Sequence, residues 1–136
     1  YKIFTIMGIK ILSVKDFASK LKATIQATGK LGFTEETAKA MSLSRDSYIQ
    51  IGYEEETDTF YMVLMPGPDP DAFKVCSAGA YFYLPTTSLF RAMGLDFETR
   101  SILFDLMREE GLDDELGGRV YKMSKRLGER RKKTMM

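Results

Sequence analysis

Basic side chains are concentrated at the two ends of this 136-residue chain, where they could bind phosphate groups. Residues 1–30 carry six lysines and one aspartate, and residues 111–136 carry eight basic and four acidic side chains. Lysine and arginine bind nucleic acid by neutralising phosphates and releasing counterions, which requires no particular base sequence. We therefore predict a nucleic-acid-binding set that consists of Lys20, Lys22, Lys30, Lys125, Arg126, Arg130 and Arg131. A solvated surface with a solubilising basic tail over residues 124–136 explains the same charges equally well.

Acidic side chains fill the middle of the chain, with eight acidic and two basic groups between residues 31 and 70. The cluster Glu54, Glu55, Glu56 and Asp58 offers the oxygen ligands that Ca²⁺ or Mg²⁺ prefers. It has neither the spacing nor the glycine pivot of an EF-hand, which favours a solvated hairpin tip. The same argument holds for residues 113–115. We predict no metal site and no cofactor.

The residue types needed for most catalytic centres are missing. The sequence has no histidine, so a Ser-His-Asp or Cys-His pair and a Cys/His zinc site are excluded. Cys76 is the one cysteine, which fits a half-buried structural residue in a reducing compartment, and we expect a cytoplasmic protein. No phosphate-binding glycine loop or hydrolase motif occurs. We predict that the chain is not an enzyme.

Aromatic side chains occur in strand-like runs and admit two interpretations. They could form a platform on which bases stack, or they could pack in the core and across strands. Packing is the commoner role, and we favour it here. The residues concerned are Tyr48, Tyr53, Tyr61, Tyr81, Phe82 and Tyr83.

The elements that must position these side chains follow a pattern that occurs twice. Lys39-Ala40-Met41-Ser42-Leu43 returns 52 positions later as Arg91-Ala92-Met93-Gly94-Leu95. Each copy reads as strand, short helix, strand, strand, which indicates one supersecondary unit used twice. The predicted elements are strands at 30–33, 48–53, 59–64, 81–84, 101–106 and 119–123, and helices at 34–41 and 86–93. We predict a single domain over residues 1–136, with internal repeats at 29–64 and 80–123.

Outside the repeats, the pattern predicts a strand at 9–12, a helix at 14–21 and an extended segment at 22–26. The longest apolar run is far shorter than the roughly 20 residues of a membrane span, so no membrane association is expected. Met7 is a candidate natural start, so residues 1–6 are set aside. The predicted core consists of Leu31, Phe33, Met41, Leu43, Ile49, Ile51, Leu84, Leu89, Met93, Leu95, Ile102 and Phe104.

The segment 29–43 resembles the repeated unit of AbrB-type proteins. The family reads roughly Gly-Arg-hydrophobic-x-Ile-Pro, then a short helix ending in Leu-Gly-Leu, then a two-stranded hairpin. The residues that match in kind are Gly29, Lys30, Leu31, Phe33, Met41 and Leu43. In the second copy Leu84-Pro85 and Met93-Gly94-Leu95 are closer to the family pattern.

The resemblance implies a mainly β fold with short helices (α+β), in which two units form a small β-barrel. MraZ-like regulators carry both units in one chain, and their Asp-x-x-x-Arg signature falls on Gln26 and Lys30 here. It further implies a DNA-binding transcriptional regulator whose partner is double-stranded DNA. The alternative is a protein-interaction or assembly module, antitoxin-like or structural, that binds a protein partner or a second copy. AbrB-type antitoxins usually carry an acidic tail, and the basic tail here favours nucleic acid.

Overall fold

The computed structural model describes the backbone of residues 3–6, 9–12 and 21–129 and the side chains of residues 21–126. Within these ranges the chain is mainly β, as the sequence predicts. A separate hairpin is formed by β1 (Ile3–Ile6) and β2 (Ile9–Leu12). The other strands are β3 (Leu21–Ile25), β4 (Leu31–Phe33), β5 (Tyr48–Glu54), β6 (Thr59–Met65), β7 (Phe73–Lys74), β8 (Cys76–Ala78), β9 (Tyr81–Leu84), β10 (Arg100–Arg108) and β11 (Arg119–Glu129). The helices are α1 (Glu35–Ala40), α2 (Thr87–Ala92) and α3 (Asp113–Leu116), and a 3₁₀ turn covers Glu110–Leu112.

The nine strands β3 to β11 form one antiparallel sheet that rolls into a nearly closed barrel. Their order is β7-β5-β6-β11-β10-β3-β4-β9-β8. The two outermost strands of this order are consecutive in the chain and are joined through Val75. The Val75 side chain is buried, and its backbone N–H donates to the Ser47 carbonyl at 2.9 Å. One bent segment therefore pairs with β5 on one side and β9 on the other, and it brings the two ends of the sheet together.

The two predicted helices begin and end close to the predicted positions. Thr34 caps α1, where its hydroxyl accepts from the Thr37 N–H at 3.2 Å and relieves an unpaired helical donor. Thr86 precedes α2, but its side chain makes no capping hydrogen bond to the helix. Its fully buried hydroxyl instead donates to the Gly29 carbonyl at 2.9 Å and accepts from the Leu31 N–H at 3.0 Å. The start of α2 is therefore anchored to the turn between β3 and β4.

The core fills the barrel with inward-facing side chains from alternate strand positions. Phe60 is buried in it, and its ring centroid lies 5.9 Å from that of Phe90 and 5.8 Å from that of Phe104 in edge-to-face contacts. Eight of the twelve predicted core residues are buried, and four are only partly buried: Ile51, Leu89, Met93 and Leu95. The main error is the phase of α2, because Phe90 and not Leu89 points into the barrel.

The repeated methionines provide a direct test of this packing. Met41 has no exposed surface, whereas Met93, at the matching position of the second copy, is only partly buried. We expect Met41→Ala to lower the free energy of unfolding by about 2–5 kcal/mol, the usual range for a core truncation. Met93→Ala should cost clearly less, because water already reaches part of the side chain. Urea denaturation followed by circular dichroism measures both, and equal losses would contradict the difference in burial.

Two element boundaries differ from the predictions. The last strand does not end at Met123 but continues to Glu129, because β11 pairs with β10 in register from Arg108↔Tyr121 to Arg100↔Glu129. Backbone hydrogen bonding thus keeps the first part of the predicted basic tail in the sheet. Leu21, placed at the end of a predicted helix, is the first residue of β3. The rest of that helix, residues 14–20, lies outside the described residues. Among the described helices, none has the length and apolar character to cross a bilayer.

The loop between β10 and β11 is fastened by one carboxylate. The guanidinium of Arg108 donates to both oxygens of Asp113, at 2.7 and 2.6 Å, and the Val120 N–H donates to the same carboxylate at 2.9 Å. The hydrogen bond from Arg108, followed by that from Val120, lowers the pKa of Asp113 from 3.8 to about 2. Asp113 therefore holds this loop against the sheet.

Candidate nucleic-acid interface

The outer face of the barrel is defined by alternation along β3. Ala23 and Ile25 are fully buried, so Lys22 and Thr24 face outward. In the neighbouring strands, Lys22 lies in register with Asp105 of β10, and Thr24 lies between Leu103 of β10 and Gly32 of β4. The same alternation places Lys30 outward, directly before the buried Leu31.

Four cations and one carboxylate occupy outward positions on this face. The face comprises the outward side of β3, β4, β9, β10 and β11 within residues 21–126. Its cations are Lys22, Lys30, Lys122 and Arg126, and its carboxylate is Asp105. Its border lies at β6, where Tyr61 is in register with Lys122. Burial, and after it the charges of Glu54 and Glu109, raise the pKa of Tyr61 there. The face has a net positive charge, which suits a polyanion.

Arg126 and Asp105 form an ion pair across the β10–β11 ladder. The Arg126 Nε lies 2.7 Å from one carboxylate oxygen of Asp105, and its Nη2 donates to the other at 2.9 Å. The guanidinium is still more than half exposed. Arg126 therefore neutralises Asp105, with which Lys22 is also in register, and leaves Lys22, Lys30 and Lys122 as the cations of the face that form no salt bridge with a described side chain.

Lys125 behaves differently from the other predicted cations. It lies in register with the buried Phe104, and its ammonium is 3.1 Å from Asp58 in the β5–β6 turn. The Tyr53 hydroxyl donates to the same aspartate at 2.7 Å. These hydrogen bonds, that from Tyr53 first, lower the pKa of Asp58. Lys125 is therefore part of the contact that fastens the β5–β6 turn to β11.

Two tyrosines stand on the outer face at alternate positions of β9. The ring centroids of Tyr81 and Tyr83 are 6.0 Å apart, and the ring planes differ by 23°. The ammonium of Lys30 lies over the Tyr83 ring, 4.8 Å from its centroid. Both rings are half-buried, so each has an apolar surface outside the barrel core.

Tyr81 is held in place by two residues of the neighbouring strands. Its phenol leans across Gly32, where any side chain would overlap it, and it accepts a hydrogen bond from the amide of Gln26. Burial, and secondarily Tyr83, raise the pKa of the Tyr81 phenol. Glycine in a strand interior often marks a close approach of this kind. Gln26 and Lys30, the two signature positions of the family resemblance, thus each contact one of these tyrosines.

The structure brings together part of the predicted binding set. Lys22, Lys30 and Arg126 share the outer face, and Lys125 does not. Lys20, Arg130 and Arg131 lie outside the described residues. Lys122, which the sequence analysis missed, alternates with the buried Tyr121 and Met123, and this pattern could have identified it. For Tyr81 and Tyr83 the sequence favours packing, and the structure places the two half-buried rings against each other on the outer face.

One cleft of the described structure is poorly suited to a polyanion. A cleft of about 630 Å³ lies at the end of the barrel where β11 begins, and its charged side chains are Asp46, Asp113, Asp114 and Arg119. Its excess of carboxylates disfavours phosphate. Within residues 21–126, no three His, Cys, Asp or Glu side chains lie close enough together to hold a metal ion.

No protein-family model, no curated protein and no solved structure matches this chain.

Proposed function

We propose that this chain is a DNA-binding regulator of AbrB-like architecture, without catalytic activity, that contacts the phosphates of double-stranded DNA through the outer face. The observation that carries the proposal is the excess of cations on that face, where Asp105 is the one carboxylate among the described side chains and is already paired with Arg126. Lysines that form no salt bridge can exchange their counterions for phosphate.

The strand pairing supports the architecture. β3 and β4 form a hairpin, as do β8 and β9, and so do β5–β6 and β10–β11. Corresponding strands then meet each other, β4 with β9 and β6 with β11. The two remaining contacts also correspond. β3 precedes β4 as the β7–β8 segment precedes β9, and β5 corresponds to β10. The pairing of β3 with β10 is therefore matched by the pairing of β7 with β5. A pseudo-two-fold axis that relates residues 29–64 to 80–123, and β3 to the β7–β8 segment that precedes the second range, would produce this set of pairs.

A salt titration of DNA binding tests the proposal. Each phosphate contact makes log K fall with log salt at a slope of about −0.9. We expect the variant Lys22→Gln/Lys30→Gln/Lys122→Gln to bind a mixed-sequence duplex more weakly. The slope should become flatter by roughly one unit for each lysine that no longer neutralises a phosphate. Fluorescence anisotropy of a labelled duplex between low and physiological salt measures the slope.

A charge-matched control separates the outer face from a general effect of net charge. Lys39→Gln/Arg45→Gln/Lys74→Gln removes the same charge from exposed cations on α1, on the turn after it and on β7. This control should keep the slope of the unaltered protein. Equal losses in the two triple variants would overturn the assignment to the outer face. Absence of binding at low salt by the full chain would overturn DNA binding and favour the protein-interaction or assembly module.

The contribution of the basic tail requires a cut that spares the sheet. A truncation after Ser124 would remove part of β11, whereas a truncation after Glu129 leaves every described strand complete. The shorter deletion removes Arg130, Arg131, Lys132 and Lys133. We expect it to weaken duplex binding and to flatten the salt slope without changing any sequence preference, because phosphate contacts do not read bases.

A further inference from the structure

The Tyr81–Tyr83 pair has a geometry that phosphate binding alone does not require. Two near-parallel rings stand outside the core, and one of them is fixed by Gln26 and by the space that Gly32 leaves. Conformationally fixed aromatic rings beside cations are the components of a surface that binds single-stranded nucleic acid. An aromatic ring offers stacking to every base, because every base has a π-face.

We infer that the Tyr81–Tyr83 pair stacks unpaired bases of single-stranded DNA, while Lys22 and Lys30 hold the adjoining phosphates. This inference rests on the proposed function, since it uses the same lysines, and it adds a preference for unpaired bases. The bases of a duplex are stacked on each other and do not offer a free face to the tyrosines. A single strand, or a locally melted stretch, does.

Lys30 connects the two parts of this site. In the free protein its ammonium covers the Tyr83 ring at 4.8 Å. The ammonium stands on a flexible four-carbon stem, so it can leave the ring when a base arrives and move to the phosphate of the same nucleotide. The base then replaces a cation–π contact with a stacking contact, and the lysine gains an opposite charge. Tyr81 keeps its place through Gln26 and extends the stacking surface along β9.

The decisive comparison is between strands that have the same phosphates with and without bases. The probes are three labelled DNA molecules: a 12-nucleotide oligothymidylate, a strand of equal length whose central nucleotides lack bases, and a duplex. Removing one base–aromatic stack typically weakens binding by about 5- to 150-fold. We therefore expect the full chain to bind oligothymidylate at least about five-fold more tightly than the abasic strand at the same salt concentration.

Substitution of the rings assigns the effect. Tyr83→Leu should lower the preference for the base-containing strand, Tyr81→Leu/Tyr83→Leu should reduce it to about one, and Tyr83→Phe, which keeps the ring, should retain it. Tyr53→Leu is the control, because Tyr53 is an exposed tyrosine on β5, outside the outer face. Its ring centroid lies 4.8 Å from that of Phe60. Circular dichroism checks that each variant folds. If Tyr83→Leu does not fold, Tyr81→Leu takes its place. The ratio of the affinities of the unaltered protein for the oligothymidylate and the abasic strand tests the stacking without any variant.

The outcomes separate this inference from the proposed function. Equal affinity for the oligothymidylate and the abasic strand, with the duplex still bound, overturns the stacking site and leaves phosphate binding intact. A full preference that survives Tyr81→Leu/Tyr83→Leu in a folded protein places the stacking elsewhere and also overturns the assignment. Absence of binding to all three probes at low salt overturns the proposed function itself.

Discussion

Replacement of Phe60 by alanine is expected to lower the free energy of unfolding by about 3–5 kcal/mol, the range typical of a buried aromatic residue truncated in a core. Phe60 is 1% exposed and makes edge-to-face contacts with Phe90 of α2 and Phe104 of β10. The cavity would open where a strand of the first copy meets a helix and a strand of the second. A loss of this size is a large fraction of the roughly 5–15 kcal/mol that stabilises a typical domain.

Urea denaturation followed by far-ultraviolet circular dichroism measures the loss, and Phe60→Leu is the matched control. Leucine keeps most of the apolar volume and should cost clearly less than alanine. Because the chain has no tryptophan, circular dichroism is a better probe than fluorescence. An unchanged denaturation midpoint in Phe60→Ala would show that the barrel interior is not packed around this ring.

Replacement of Gly29 by alanine is expected to cost about 2–6 kcal/mol, from two separate causes. Gly29 has φ +89°, where a residue with a side chain is strained by about 1–3 kcal/mol. A Cβ there would also lie 2.9 Å from the Thr87 Cα and from the Phe97 ring, and overpacking of this kind costs about 1–3 kcal/mol. The backbone of Thr87 cannot move away freely, because the Thr86 and Thr87 hydroxyls donate to the carbonyls of Gly29 and Thr28.

Gly79→Ala separates the two causes. Gly79 has φ +63° in the turn between β8 and β9, and no atom lies within 4 Å of the position that a Cβ would take. This variant should show the conformational strain alone. The difference between the two denaturation midpoints then measures the close contact between the β3–β4 turn and α2. Equal midpoints would mean that this contact tolerates a methyl group.

The two predictions probe contacts that join the two halves of the chain. Phe60 does so through apolar packing, and Gly29 through the approach of a turn to the start of α2. The outer face is also assembled from both halves, because Lys22 and Lys30 come from the first and Tyr83, Lys122 and Arg126 from the second. Disruption of either contact should therefore weaken the proposed DNA binding indirectly, because less of the protein is folded.

The sequence by itself determined the local structure. The Thr34 cap with the acidic Glu35 and Glu36 after it positions α1, and alternation of apolar residues positions the strands. These signals are short-range, since they depend on the conformational preferences of a few adjacent residues. The mainly β class, the order of elements and most core positions could be predicted for that reason.

Only the tertiary structure decided which residues face the same surface. Lys125 and Arg126 are adjacent in sequence, yet one fastens a turn to the barrel and the other lies on the outer face, because successive strand residues point to opposite sides. The strand predicted to end at Met123 continues because β10 supplies its backbone partners. The contacts of Tyr81 with Gln26 and of Tyr83 with Lys30 span more than fifty residues, and pairing between β4 and β9 creates them. Register between distant strands sets these contacts, and no local pattern in the sequence encodes it.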